Sequence, residues 1–214
     1  MSWNRLSMAA LALVPAMVLA LAMPARADFE RATAAFDKGD YPLALKELKP
    51  LVAKGDPRSQ YAMGVMAENG FGMPKDLPKA AAWYRKAAEQ GNTDAQFNLG
   101  AMYEHGIGMP VNYAEAARWY RPAAESGDID ALSNFGVLYA TGRGVPQDKV
   151  LALALYNVSV AFDSNKNSTA ARNRQSLANQ MSLDEVNRSM ALTDRLLQQN
   201  QLKPVLQAYL KRPK

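Results

Sequence analysis

The sequence contains no cysteine. That excludes a thiol nucleophile, a redox pair, a cysteine-based zinc site, a lipid-modified N-terminal cysteine and any disulfide, so the fold rests on packing alone. Histidine is almost as scarce, with His105 the only one. A histidine-zinc cluster is excluded with it, because zinc usually takes several Cys or His ligands. A Ser-His-acid triad would have to use this one residue, which sits at a helix end beside Gly106. Alternation of period two, the mark of a strand, is absent. No dense basic block precedes the C-terminal end, and interspersed cations and anions give no nucleic-acid footprint. The glycine-rich stretch Gly70-x-Gly72-x-Pro74-Lys75 lacks the Gly-Lys-Ser/Thr ending of a phosphate cradle and follows a helical pattern rather than a strand. Glu68 and Glu104 invite a paired-acid reading, but they stand one repeat apart, where matching residues are expected. Nothing points to catalysis, a metal or a cofactor.

What is present begins with a leader. One cation, Arg5, precedes an unbroken apolar run from Met8 to Met23 that contains Pro15 and closes on Ala25-Arg26-Ala27. The small-x-small ending is the pattern a signal peptidase reads, and the run is short of the roughly 20 apolar residues that cross a bilayer. Residues 1–27 are therefore expected to be a signal peptide cleaved before Asp28, with a retained membrane anchor as the alternative. Cleavage lowers the formal charge of +5 by two, because the leader carries two arginines and no acid. The expected location is periplasmic or secreted, with no integral span after cleavage.

The chain then repeats itself every 36 residues. Gly64, Gly100 and Gly136 share a register, as do Gly70, Gly106 and Gly142, then Gly72, Gly108 and Gly144. Pro74, Pro110 and Pro146 follow, then Ala80, Ala116 and Ala152, and Tyr84, Tyr120 and Tyr156. Trp83 and Trp119 match Leu155 in the third copy. A fixed period in this range means stacked units, each unable to bury its apolar face alone. In the second copy a helix is predicted from Asp94 to His105, a loop to about Pro110, and a second helix from about Tyr113 to Ser126 with Gly127 as its stop. Gly100 and Ala116 would lie where the two helices cross. The paired Trp83-Tyr84 and Trp119-Tyr120, imaginable as a sugar platform, fit packing better because their place in the repeat is fixed. Pro50 and Pro122, two periods apart inside second helices, should each bend its helix.

The string Leu99-Gly100-x-x-Tyr103, Gly106-x-Gly108, Ala116, Trp119-Tyr120 and Ala123-Ala124-x-x-Gly127 resembles the Sel-1-like repeats, longer-looped relatives of tetratricopeptide repeats. The first copy departs at Met63 and Ala67. The third departs at Phe135 and Leu155 and has Asp163 in place of the closing glycine. The resemblance implies an all-α fold, a right-handed α-solenoid of stacked helix-turn-helix repeats. Its expected parts are a capping helical pair at 28–56, repeats at 57–92, 93–128 and 129–164, and capping helices with a basic tail at 165–214. Ser182 with Glu185 three residues on gives a capping box. Leu202, Val205, Leu206, Tyr209 and Leu210 form a stripe that either docks on the last repeat or reaches a partner, a second copy or a membrane surface.

Resemblance to tetratricopeptide proteins also implies a binding face on the first helix of each pair. It collects Arg58, Asp94 and Asp130, then Tyr61, Phe97 and Ser133. Asn98 and Asn134 match a position that often holds a peptide partner, with Ala62 departing in the first copy, while Glu68, Glu104, His105 and Thr141 stand near the rim. The function implied is an exported scaffold or adaptor, not an enzyme, that binds a protein partner of the cell envelope and serves regulation or assembly. The other class held open is an envelope enzyme or a peptidoglycan- or glycan-binding protein.

Overall fold

The computed structural model describes residues 28–165 and 168–212. The expected leader with its cleavage point, and Lys214 of the basic tail, lie outside the described residues. Among those residues every regular element is a helix. A first helix, α1, occupies 28–37, followed by α2 (Tyr41–Ala53), α3 (Pro57–Asn69), α4 (Leu77–Glu89), α5 (Thr93–His105) and α6 (Tyr113–Glu125). Then come α7 (Ile129–Thr141), α8 (Lys149–Phe162), α9 (Thr169–Ala178), α10 (Leu183–Leu197) and α11 (Leu202–Leu210).

The start of each helix is written by a cap. Asp56, Asn92 and Asp128 open α3, α5 and α7, and Asp76, Asn112 and Asp148 open α4, α6 and α8. Each side chain accepts from a backbone N–H of the first turn, such as Ser59, Ala95 and Ala131, which satisfies a donor the helix leaves orphaned. The first helices stop at Gly70, Gly106 and Gly142, which take left-handed φ of 77°, 68° and 70°. Residues with a Cβ adopt that region only at a cost, so glycine ends these helices.

Each first helix packs against its own second helix, and each second helix against the next first helix. This produces an α-solenoid whose Ala-rich interior falls into three successive clusters along the stack. The close approach within a pair is made by Gly64, Gly100 and Gly136, which face the rings of Tyr84, Tyr120 and Tyr156. A second approach links neighbouring repeats. Gly72, Gly108 and Gly144 lie against the first residue of the preceding second helix, Tyr41, Leu77 and Tyr113 respectively, and a Cβ on Gly108 would be 2.8 Å from the Leu77 carbonyl carbon.

The third repeat is greasier because a cap covers it. Residues 151–156 of α8 are all buried, with α9 and α10 packed on that helix. Leu155 suits this site: the indole N–H groups of Trp83 and Trp119 are buried without a hydrogen-bond partner, and leucine brings no donor to satisfy. The capping box at α10 is formed by Ser182 and Glu185. The C-terminal stripe docks. Val205 and Leu206 join the core of α6–α8, Gln207 donates to Glu125 at 2.8 Å and Tyr209 donates to Asp148 at 3.1 Å. The helices that hold Pro50 and Pro122 continue past those rings, to Ala53 and Glu125.

Candidate functional site

The first helices α3, α5 and α7 carry the residues that the register selects. Arg58, Asp94 and Asp130 are exposed near the helix starts. Arg58 is already engaged: its guanidinium lies 4.7 Å from the Phe29 ring centre of α1, and its Nε donates to Asp56 at 3.4 Å. Tyr61 and Phe97 are half-buried and lean on the tyrosines of their own second helices, with ring centres 5.7 Å from Tyr84 and 5.9 Å from Tyr120. Ser133, in the same register, corrects the sequence expectation. It is 7 % exposed, on a helix that also receives α9. A partner on that face would not reach it.

Asn98 and Asn134 are half-buried and serve the interior as well as the surface. The Asn134 amide donates to the Tyr120 hydroxyl at 3.2 Å, and that hydroxyl donates to Glu104 at 2.7 Å. One repeat back, Tyr84 donates to Glu68 at 2.6 Å, and Asn98 stands beside the Tyr84 and Tyr61 hydroxyls. Burial, and then the adjoining carboxylates, push the Tyr84 and Tyr120 hydroxyls far above the ordinary phenol range. Both stay protonated and donate to Glu68 and Glu104. An amide can donate and accept at once, and the bond to Tyr120 uses one N–H of Asn134. The third repeat has Ala140 where the others have glutamate, and Tyr156 makes no hydrogen bond among the described residues.

The remaining rim residues are exposed at helix ends. His105 is the last residue of α5, and Thr141 closes α7 with its hydroxyl donating to the Val137 carbonyl at 2.8 Å. Among the described residues no group of three or more His, Asp or Glu side chains is placed to hold a metal ion. No described helix is long and apolar enough to cross a membrane.

Two features escaped the sequence reading. One is the tyrosine-glutamate pairing, whose signal is a constant spacing of 16 residues, Glu68 to Tyr84 and Glu104 to Tyr120. The other is an apolar cleft of about 180 Å³ between α1 and α3, lined chiefly by Phe29, Thr33, Phe36, Tyr61, Ala62 and Val65. Phe29 and Phe36, two turns apart, were its only trace in the sequence.

The Sel1 repeat family model matches residues 57–92, 93–128 and 129–158. Among solved structures, a Sel1 repeat protein from Oxalobacter formigenes is 32 % identical with a TM-score of 0.65, over 71 % of this chain and 61 % of that one. The antigen c5321, described as a protective antigen present in uropathogenic Escherichia coli strains and displaying an SLR fold, is 25 % identical with a TM-score of 0.70. That match covers 89 % of this chain and 41 % of c5321, so the chain spans less than two thirds of either relative's length. No curated protein matches it.

Proposed function

Because this chain is a Sel1 repeat protein, we propose that it is an exported scaffold that holds a segment of a protein partner along the face of its first helices. Sel1 repeats generally serve as protein–protein interaction scaffolds. The observation that carries the reading is the strip of Tyr61, Phe97, Asn98 and Asn134. These side chains are partly exposed yet braced from beneath by Tyr84 and Tyr120. Aromatic rings give large contact area at little entropic cost, and pre-set amides match the donor and acceptor of an extended peptide. Bracing reduces the ordering cost of binding.

The periplasm or the exterior is the proposed location, on the strength of the apolar leader ending at Ala27. The likeness to c5321, a protective antigen, fits an exported protein. Sequencing the N-terminus of the protein from its native host tests this. A chain starting at Asp28 is expected, and one starting at Met1 sinks it. For the binding face, a partner is captured by cross-linking in the native envelope fraction. Its affinity is then measured against variants. Phe97→Ala with Asn98→Ala should weaken capture by about 2–4 kcal/mol with helicity unchanged. Lys79→Ala, exposed on α4, should leave it alone. The opposite pattern would place the binding surface on the second helices and refute the proposal.

A further inference from the structure

The first-helix face has a charge unlike that of the chain as a whole. The sequence is formally +5, yet α3, α5 and α7 carry Glu68, Asp94, Glu104 and Asp130 against one cation, Arg58, apart from His105. Arg58 is turned to Phe29 and Asp56. The second helices hold the opposite balance, with Lys79, Arg85, Lys86, Arg118, Arg121 and Lys149 facing Glu89, Glu115 and Glu125. The acids of the face are felt by the groups between them. Asp130 and Asp94 add to burial in pushing up the Asp128 carboxyl, and Asp94 and Glu68 both act on Tyr61. Tyr61 is also a wall of the cleft between α1 and α3, so the acidic row leads into an apolar slot. A volume of about 180 Å³ suits one large side chain, since roughly 150 Å³ is enough to take benzene.

We propose that the partner segment is basic and carries one large apolar side chain, which enters the cleft between α1 and α3 while its Lys or Arg residues face Glu68, Asp94 and Asp130. This rests on the first helices being the binding face. The slot accepts a Phe, Leu or Met because its walls are carbon, and it rejects a charged group, which would be stripped of water there without a partner. The acidic row attracts cations and repels acidic segments, which sets direction and selectivity more than affinity.

The test is selection of random twelve-residue peptides on the isolated full chain, followed by fluorescence anisotropy with the synthesised winners. The enriched peptides should carry a Phe, Leu or Met flanked by at least two Lys or Arg. Ala62→Trp fills the slot and should weaken them at least about tenfold, the worth of one buried apolar group. Asp94→Lys should do the same, and added salt should weaken binding further. If Ala62→Trp lowers the thermal midpoint, Thr33→Lys at the exposed margin of the cleft replaces it, with the same loss expected. Winners that are acidic, or indifferent to Ala62→Trp and Thr33→Lys, overturn the proposal. If such peptides still weaken with Phe97→Ala and Asn98→Ala, the binding face stands and only the basic-apolar specificity falls. If they respond to neither set, or no peptide is enriched, both fall. Self-association of the chain that is lost in Ala62→Trp would make a second copy the occupant and also overturn it.

Discussion

Replacing Gly100 with alanine adds one carbon where α5 crosses α6. That atom would sit 2.7 Å from Cδ1 and 2.8 Å from Cε1 of Tyr120, well inside contact distance. The ring has little room to yield. It is fully buried, Phe97 leans on it, and its hydroxyl is tied to Glu104 and Asn134. Overpacking of this kind costs about 1–3 kcal/mol. Alanine in place of glycine within a helix returns about 1 kcal/mol, leaving a net loss of about 1 kcal/mol, with about 2 as the upper end. Gly136→Ala is the internal control. Its Cβ would lie 2.9 Å from Tyr156, a ring whose hydroxyl is untethered, so clash and propensity should nearly cancel. Urea and thermal unfolding followed by far-UV circular dichroism measure both. Gly100→Ala should lower the midpoint by about 2–4 °C per kcal/mol lost, and Gly136→Ala should leave it nearly unchanged. Gly100→Leu should lose several kcal/mol and loosen the middle repeat, weakening its neighbours with it. If Gly100→Ala instead gains the full propensity increment, the crossing is looser than described and the argument for glycine there fails.

Tyr120→Phe should cost about 1–3 kcal/mol in urea unfolding, because Glu104 and the Asn134 amide lose their shared partner; Tyr156→Phe should cost far less, and equal losses would remove the hydrogen-bond explanation. Leu206→Ala should cost about 2–5 kcal/mol and speed amide exchange along α11, whereas unchanged exchange there would show that the stripe is not what holds the helix down. The Glu185 carboxyl is held below the usual glutamate range, first by the Ser182 backbone N–H and then by its hydroxyl. Its contribution to α10 is therefore present above that range and disappears as pH falls through the lowered value. Amide protection factors in the first turn of α10, corrected for intrinsic exchange, should fall over that acidic window and lose this pH dependence in Glu185→Gln; a wild-type loss of protection only at neutral pH would contradict it.

The repeat frame was legible in the sequence because its positions are fixed by steric demands that only one residue type meets. Gly106 must take a left-handed φ, Gly100 must admit a ring, and each demand recurs at the same interval. Helix limits followed from the same stops, so α5 and α6 end within a residue or so of expectation. The candidate face was less legible where the frame ends. Ser133 has the register of Tyr61 and Phe97, but it is buried where they are half-buried, on the one first helix that α9 also meets. The apolar cleft likewise needs α1, a helix outside the three full copies. Asn134 was visible as a surface amide; its bond to Tyr120 crosses from one repeat to the previous one, and reading each unit by itself hides that pairing even though Asn98 stands beside Tyr84 in the same register.

Gly72, Gly108 and Gly144 have a consequence for how such a molecule can change length. Each brings the chain within contact of the preceding unit's backbone, so the step from one unit to the next is set by main chain meeting main chain. Side-chain drift elsewhere leaves that step alone. A chain of this design can gain or lose whole 36-residue modules and keep its pitch, whereas an insertion of a few residues in a loop would move the glycine off its seat and wedge two modules apart. Reach is thus adjustable in fixed increments, like links in a chain, and the curvature offered to a partner stays the same from one link to the next.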